Sequence, residues 1–445
     1  MNQQKQNGNI VAIVTMIFLF AMISFVTNLA APMGVVLKSQ FGLGSSAGML
    51  GNFMNFFAYL FFGIASGNLL NKKGYKFTAL TAVAIGIVGI GIQYLSGRMS
   101  GLEGQIFSLP ISFFIYLAGA FVAGISVCML NTVVNPMLNS LGGGGNKGGQ
   151  LLQIGGSFNS LAATITPMFV GILIGEASKA HITDVFPVMY IAMGVFAAVF
   201  VILNIVKIPE LRLDEQKNEV KSAGKDKHSA WSFRHFVLGA IGIFGYVGIE
   251  VGIPGTLLFF LADANGGAGL DPSTAAATAG SVAGTYWFLM MIGRFIGGSI
   301  GGKVSSKTML SVASGIGILF VLVAIFAPLS AKISMPAFTG SNFIIASVPI
   351  SALFLVLCGL CTSIMWGGIF NLAVEGLGKY LEKASGIFMM MVVGGGVLPL
   401  LQNAVVDWTD KNYMISYIVP LLGLAYLLYY ALIGSKNVNK DIPVK

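Results

Sequence analysis

Long apolar stretches recur from one end of this 445-residue chain to the other, and they limit its possible folds more than any other feature. A helix needs about 20 mainly apolar residues to cross a bilayer, and about twelve stretches reach that length. They cover residues 10–37, 49–70, 77–95, 109–138, 151–174, 186–206, 236–261, 274–300, 309–329, 343–374, 384–406 and 415–433. The sequence therefore predicts an all-α integral membrane protein with twelve transmembrane helices.

The longest polar stretch, residues 207–235, divides the twelve apolar stretches into six and six. Glycines at four-residue spacing close the second stretch (Gly63, Gly67) and the eighth (Gly293, Gly297, Gly301), and such spacing allows close helix packing. This weak echo predicts two pseudo-symmetric six-helix bundles, an architecture of transporters with a binding site at the midplane. The predicted parts are a cytoplasmic tail (1–9), the first bundle (10–207), a cytoplasmic linker (208–235), the second bundle (236–434) and a cytoplasmic tail (435–445).

The formal charge of +9 is unevenly distributed among the polar gaps. Basic residues gather in alternate gaps, while the intervening gaps hold few of them beside Glu103, Glu176, Asp184, Asp263, Asp271, Asp407 and Asp410. Because lysine and arginine concentrate on the cytoplasmic side of membrane proteins, this alternation predicts that both termini are cytoplasmic. The basic gaps contain Lys72, Lys73, Lys76, Lys207, Arg212, Lys217, Lys221, Lys225, Lys227, Arg234, Lys303, Lys307, Lys436, Lys440 and Lys445. The positive charge therefore indicates topology, and we expect no nucleic-acid partner.

Cysteine and histidine usage argues against metal, redox and enzymatic chemistry. The three cysteines all lie in apolar stretches, where a reactive thiolate lacks exposure and an electropositive setting. The three histidines lie in polar connections and form no metal-binding pattern. No nucleophile–base pair stands out. We expect no cofactor, no metal and no enzymatic activity.

One carboxylate, Glu250, lies inside the seventh apolar stretch, within residues 245–252. Holding an ionised side chain at bilayer depth costs about 2.5–3.5 kcal/mol on insertion scales. A chain with only 9% charged residues that keeps a glutamate there is expected to use it. Its alternative role is structural, in a bond to the backbone or to a partner helix.

Uncharged amides and aromatic side chains form a second set of candidates inside the apolar stretches. Asn131, Asn135 and Asn139 recur every four residues, so they form one polar stripe on a helix. Amides both donate and accept hydrogen bonds, which suits the hydroxyls of a sugar. Each amide has the alternative of an interhelical bond, and each tryptophan that of packing or interface anchoring. The further candidates are Asn28, Gln153, Asn159, Trp287, Trp366, Gln402 and Asn403.

Several segments together resemble a known family. Residues 67–76 resemble the loop signature G-x-L-x-D-R-x-G-R-K of the major facilitator superfamily, with Asn71, Lys72 and Tyr75 as departures. Residues 130–142, 157–160, 246–251 and 394–402 resemble its fucose permease-like sugar transporters, which include fucose, glucose/galactose and N-acetylglucosamine carriers. The resemblance covers nearly all of the chain and implies the major facilitator fold.

The resemblance also implies roles for particular residues. The loop of residues 67–76 would control gating, through Gly67, Asn71, Lys72 and Gly74, while Arg294 would be a gating or lipid-facing charge. Proton-coupled fucose-type members carry two membrane carboxylates at positions that here hold Ala31 and Asn131, neither of which takes up a proton. Glu250, which matches the glutamate of a Tyr-Val-Gly-x-Glu segment, is then the remaining coupling candidate.

We therefore expect secondary active uptake of a monosaccharide (hexose, deoxyhexose or N-acetylhexosamine) across a bacterial inner membrane by alternating access. The expected partners are the sugar, a proton or sodium ion coupled through Glu250, and membrane lipid, with the chain acting as a monomer. The alternatives are an uncoupled uniporter of the same fold, a carrier for another small polar solute and a non-transporting sensor. The expected substrate-binding residues are Asn28, Asn131, Asn135, Asn159, Trp287 and Gln402.

Overall fold

The computed structural model describes residues 2–99, 104–106, 109–142, 145–209, 228–300, 303–340, 342–439 and 441–443. In this part of the chain, twelve helices are long and apolar enough to cross a membrane. We number them spans 1 to 12: Ile10–Phe41, Leu50–Lys73, Tyr75–Arg98, Ile111–Leu141, Leu151–Ile174, Ile182–Ile205, Arg234–Ala262, Ala275–Ile300, Ser306–Phe326, Ile350–Val374, Ala384–Trp408 and Tyr413–Gly434. The predicted all-α membrane architecture is confirmed.

Some spans are parts of longer helices, and others are divided into shorter ones. Span 1 belongs to the helix Asn2–Phe41 and span 5 to the helix Gly145–Ile174. Span 6 joins a 3-10 turn, Ile182–Val185, to the helix Phe186–Ile205. The last three spans are each divided. Their helices are Ile350–Thr362 and Met365–Val374, then Leu381–Met391 and Gly394–Trp408, then Tyr413–Ser416 and Ile418–Tyr429 with a π-helical turn, Tyr430–Gly434.

The predicted tails and linker are only partly described. Residues 2–9 of the predicted first tail are helical and continuous with span 1. Residues 210–227 of the predicted linker lie outside the described residues, as do Met1, Lys440, Val444 and Lys445 of the predicted tails.

Two short antiparallel sheets connect helices. β1 (Gln105–Ile106) pairs with β2 (Leu109–Pro110), and β3 (Lys332–Phe338) pairs with β4 (Phe343–Pro349). The predicted tenth stretch was therefore wrong over its first seven residues, because 343–349 form β4 and the helix begins at Ile350. Apolar content alone does not distinguish a strand from a helix. The strand exposes alternate side chains, with Phe343 76% and Ile345 71% exposed.

The two halves of the chain meet along two pairs of spans. Spans 5 and 8 approach so closely that a Cβ added to Gly284 would lie 2.7 Å from the carbonyl oxygen of Thr164. Spans 2 and 11 are joined by Asn52, whose Nδ2 donates to the carbonyl oxygen of Gly395 over 2.8 Å. These seams connect an N-terminal half (spans 1–6) to a C-terminal half (spans 7–12).

We name the two ends of the bundle after residues that lie there. The Asp407 end holds the last residues of spans 1, 7 and 11, and the Lys72 end is opposite. Near the Asp407 end, spans 1 and 7 touch, with the Phe259 ring 2.6 Å from a Cβ added to Gly34. On the same face of span 7, about five turns toward the Lys72 end, Ile241 is 43% exposed. Spans 1 and 7 are thus in contact at the Asp407 end, while this face of span 7 is exposed toward the Lys72 end.

Candidate functional site

Glu250 faces span 8 from the middle of span 7, and its side chain is 16% exposed. Its cationic neighbour is Arg294, 14% exposed, whose Nη2 lies 3.8 Å from Glu250 Oε1. That separation is an ion pair but is longer than a hydrogen bond. The Tyr246 hydroxyl, one turn earlier on span 7, faces the same carboxylate. The carboxylate is thus enclosed and only loosely paired.

Arg294 is held by the opposite half of the molecule. Its Nη1 donates to the carbonyl oxygen of Gly156 over 2.5 Å and to Ser160 Oγ over 2.8 Å, and both acceptors lie on span 5. The lipid-facing interpretation of Arg294 is therefore wrong, because the guanidinium turns inward to these polar partners. Arg294 connects span 5 of the N-terminal half to Glu250 of the C-terminal half.

The amides predicted on span 4 form a short chain of hydrogen bonds. Asn131 Nδ2 donates to the Tyr59 hydroxyl over 2.7 Å. Asn135 Nδ2 donates to the backbone carbonyl of Asn131 over 3.0 Å and more weakly to its Oδ1 over 3.4 Å. Tyr59, 2% exposed on span 2, was missed by sequence reasoning. The available signal was a hydroxyl within an apolar stretch that needs a partner when buried.

Asn28 and Asn159 lie on the neighbouring spans 1 and 5. Asn28 Nδ2 donates to the carbonyl oxygen of Ser24 over 2.9 Å, and Asn159 Nδ2 donates to that of Phe20 over 2.9 Å. Both side chains, like that of Asn135, are partly exposed. Within the described part of the chain, the amide oxygens of Asn28, Asn135 and Asn159 accept no hydrogen bond. These spans therefore present free acceptors.

Trp287 and Gln402 are more enclosed than the asparagines. Trp287 is 7% exposed and packs edge-on against Tyr286, with 5.3 Å between ring centroids. Gln402 is 1% exposed and lies against Gly252, two residues beyond Glu250 and so on the other side of span 7. Gln402 Nε2 is buried without a partner among the described residues. The structure thus does not bring Gln402 beside Glu250.

The residues predicted to gate lie at the Lys72 end, except Arg294. Gly74 separates spans 2 and 3 and has φ +85°, a conformation that favours glycine. In the same loop, Lys76 Nζ donates to the backbone carbonyls of Asn204 and Val206 over 2.9 and 3.0 Å, at the end of span 6. A Cβ on Gly67 would meet nothing within 4 Å, so no close helix contact requires this glycine. Asn71 and Lys72 are exposed.

A group of contacts at the Asp407 end joins the halves and has no counterpart among the sequence predictions. We name Ser45, Ser46 and Asp407 the Asp407 latch. Asp407 Oδ1 accepts from the Ser45 backbone N–H over 2.7 Å, and Oδ2 accepts from the Ser46 N–H and Oγ over 2.8 and 2.5 Å. This carboxylate of span 11 thus caps the short helix Ser45–Gly48 between spans 1 and 2.

Beside the latch lies the Asp263 cluster, which comprises Lys38, Asp263, Lys411 and Tyr413. The Tyr413 hydroxyl donates to Asp263 Oδ2 over 2.8 Å, while Lys38 and Lys411 approach the same oxygen to 3.5 and 3.6 Å. Burial alone would raise the pKa of Asp263, but Lys38, the Asn265 backbone N–H, Tyr413 and Lys411 together hold it below its ordinary value. The cluster therefore keeps Asp263 ionised.

Metal binding has no support in the described residues, where no group of three or more His, Cys, Asp or Glu side chains is placed to hold an ion. The chemistry of the site is instead that of hydrogen bonding and one ion pair. Partly exposed amide oxygens lie on spans 1, 4 and 5, and a loosely paired carboxylate lies on span 7.

Comparison with known proteins agrees with this architecture. A family model described as Major Facilitator Superfamily matches residues 13–400. The glucose/galactose transporter of Brucella abortus (strain 2308) is 29% identical over 442 residues, with 98% of this chain and 96% of that protein covered. The L-fucose-proton symporter of Escherichia coli K12 is 21% identical over 403 residues, with 86% of this chain and 83% of that protein covered.

Solved structures show the same fold. An E. coli fucose:proton symporter variant superposes with a TM-score of 0.66 at 19% identity, over 97% of this chain and 100% of that chain. A D-xylose-proton symporter gives 0.65 at 15% identity, over 96% of this chain and 98% of that chain. The predicted fold of two six-helix halves is therefore confirmed. Because the family model spans most of the sequence, this chain belongs to the Major Facilitator Superfamily of membrane transporters.

Proposed function

We propose that the protein carries a neutral monosaccharide into the cell by alternating access. The free amide oxygens of Asn28, Asn135 and Asn159 suit the hydroxyls of a sugar. The names of the relatives, a glucose/galactose transporter and an L-fucose-proton symporter, support the same substrate class. Trp287 and Gln402 remain predictions, since both are enclosed in this conformation.

Glu250 is the group proposed to couple sugar movement to a proton. The observation that carries this proposal is its position 3.8 Å from Arg294, which the N-terminal half holds through Gly156 and Ser160. Protonating Glu250 removes its attraction to the guanidinium of Arg294, which belongs to span 8 of the same half but hydrogen-bonds to span 5 of the other half. The charge of Glu250 is thereby linked to the relative position of the halves, as coupling requires.

The proposed orientation in the membrane is supported by the charge distribution. Lys72, Lys73, Lys303 and Lys307 lie at or beside the ends of spans at the Lys72 end, whereas the Asp407 end holds Asp263, Asp271, Asp407 and Asp410. Under the positive-inside rule the Lys72 end and both termini are cytoplasmic. In a bacterial inner membrane, this conformation would be closed to the outside. We propose a monomer in contact with lipid, because each half supplies residues to the site without a second copy.

Reconstitution in proteoliposomes tests the proposal. Uptake of labelled hexoses, deoxyhexoses and N-acetylhexosamines would be measured with an imposed proton gradient, a sodium gradient or neither. We expect saturable uptake of at least one sugar, with accumulation above equilibrium under the inward proton gradient. Accumulation that followed sodium alone would replace the proton with sodium. Absence of uptake for every sugar would contradict the proposed substrate class.

An uncoupled uniporter is the second candidate function. Ala31 and Asn131 favour it, because neither side chain exchanges a proton. In this case labelled sugar would equilibrate across the membrane at a rate independent of both gradients. Efflux and exchange would be unchanged when Glu250 is replaced by glutamine.

A further inference from the structure

Three amides of the site are fixed in orientation by backbone carbonyls. Asn28 donates to Ser24 O, Asn135 to Asn131 O and Asn159 to Phe20 O, at 2.9, 3.0 and 2.9 Å. A carbonyl oxygen only accepts, so the atom facing it in each case must be the amide nitrogen. The usual ambiguity between amide oxygen and nitrogen is thus removed by these partners. Each amide directs its oxygen away from the bond.

The three asparagines lie on neighbouring spans of the N-terminal half. Gly155 packs against Phe20 and Leu138, which sets the three helices in register. Each distance is counted toward the Asp407 end at about 1.5 Å per residue along the residue's own helix. Asn135 lies about 4.5 Å from Leu138, Asn159 about 6 Å from Gly155 and Asn28 about 12 Å from Phe20. The resulting band is about 8 Å deep, which accommodates one sugar ring with its hydroxyls.

The faces of spans 1 and 5 that carry Asn28 and Asn159 point toward the other half. Asn28 lies one turn before Ala31, which is 3.7 Å from a Cβ added to Gly255 of span 7. Asn159 lies about one turn after Gly156, and a Cβ added to Gly156 would lie 3.4 Å from Arg294 Nη1 of span 8. Because both faces meet the C-terminal half and both amides are partly exposed, a ligand between the halves reaches them.

We propose that Asn28, Asn135 and Asn159 recognise the substrate as hydrogen-bond acceptors, so that the sugar hydroxyls they contact act as donors. This inference rests on the proposed function and adds which partner donates and which accepts in each hydrogen bond. Asn131 has a different part: its bonds to Tyr59 and Asn135 use both ends of its amide, so it is a positioning residue for Asn135.

Analogues of a transported hexose test the polarity directly. At each ring carbon, the hydroxyl is replaced by hydrogen or by fluorine, which removes the donor while fluorine keeps a weak acceptor. Inhibition constants are measured against labelled parent sugar in proteoliposomes. Where a ring hydroxyl donates to an amide oxygen, we expect the deoxy and the deoxyfluoro analogues to bind about five- to tenfold more weakly than the parent sugar. The two analogues should lose the same affinity.

Alanine substitutions connect particular hydroxyls to particular amides. In Asn28→Ala, Asn135→Ala or Asn159→Ala, the penalty for one analogue pair is expected to disappear while other penalties persist. Asn204→Ala is the matched control, because Asn204 makes the same local bond to Phe200 O on span 6, where it is exposed. Its penalties should equal those of the unmodified protein.

The outcomes separate this inference from the proposed function. If fluorine restores the affinity that hydrogen loses, or if no deoxy analogue binds more weakly, the acceptor assignment is wrong while sugar transport stands. If no parent hexose is carried or bound, the proposed function itself fails. The analogue measurements need only the unmodified protein, so a poorly folding variant does not remove the test.

Discussion

Two carboxylates lie between the halves of this transporter, and their surroundings differ. Asp407 accepts three hydrogen bonds of 2.5–2.8 Å from Ser45 and Ser46. Glu250 has a single cation at 3.8 Å, and that cation bonds to span 5 instead. A carboxylate with its oxygens occupied by short bonds holds two elements together. A carboxylate that is enclosed but loosely paired can take up a proton or change its partner at a lower cost in free energy.

The difference suggests a division of labour between the two regions. The Asp407 latch keeps one end of the bundle closed, and the region of Glu250 and the amides responds to sugar and cation. The following predictions test whether the two regions can be separated by mutation.

The largest effect is expected from locking the latch covalently. A Cβ on Gly44 would lie 3.1 Å from Asp407 Cγ, close enough for cysteines at both positions to form a disulfide. Oxidised Gly44→Cys/Asp407→Cys protein should lose nearly all sugar uptake, and a reductant should restore it. Each single cysteine variant serves as the control. Full uptake by the oxidised double variant would show that the Asp407 end need not open.

Weakening the latch should open the same end. Asp407→Asn removes charge-assisted bonds that contribute about 1.5–3 kcal/mol each. We therefore expect an impermeant thiol reagent added from the Asp407 side to label an Ala31→Cys reporter about tenfold faster or more. A loss of about 1.5 kcal/mol corresponds to a change of that size. The native cysteines are at most 6% exposed and give little background.

Asp410→Asn is the matched control for that substitution. It makes the same charge change three residues later, and the Asp410 carboxylate accepts no hydrogen bond within the described residues. Equal labelling in the two variants would assign the effect to local charge rather than to the latch.

A smaller effect is expected from a substitution in the region of Glu250 and the amides. Tyr59→Phe removes the hydroxyl that fixes Asn131, a net loss of about 1 kcal/mol, so the KM for sugar should rise about fivefold with little change in maximal rate. Labelling of the Ala31→Cys reporter should stay unchanged. Tyr116→Phe, another buried tyrosine 2% exposed, is the control. A change in labelling would show that the two regions are not separable.

The smallest effect concerns pH. The pKa of Asp263 lies below its ordinary value of about 3.9, so its ionised form contributes to closure at any pH above that value. The contribution is lost only as pH falls through the lowered pKa. Asp263→Asn should therefore leave the shape of the pH profile of uptake between pH 5 and 8 unchanged. A shifted profile would place a titrating group of transport at the Asp407 end.

The sequence was most informative where a residue conflicted with its surroundings. The twelve spans followed from apolar length, and Glu250 stood out because a carboxylate is costly inside such a span. The exception was the β3–β4 hairpin, where strand residues such as Ile344 and Ile345 are as apolar as a helix core. Hydropathy therefore predicted the twelve spans, and its largest boundary error was the start of span 10.

Contacts between distant parts of the chain could not be predicted in this way. Ser45 and Asp407 are 362 positions apart, and the donors of the latch include backbone N–H groups, which no residue pattern identifies. Gln402 lies in a segment that resembles the family, but in the structure it contacts Gly252 of span 7. The rotation of that helix places Gly252 and Glu250 on opposite sides. Both outcomes depend on how helices pack, which single-sequence patterns do not specify.

The most direct test of the account is Glu250→Gln in proteoliposomes, with Glu176→Gln, a partly exposed carboxylate between spans 5 and 6, as the control. Sugar accumulation under an imposed proton gradient and sugar exchange without a gradient would be measured on the same preparation. The account predicts that Glu250→Gln abolishes accumulation and retains exchange, while the control keeps both. Accumulation by Glu250→Gln at the level of the unmodified protein would contradict the coupling role of Glu250.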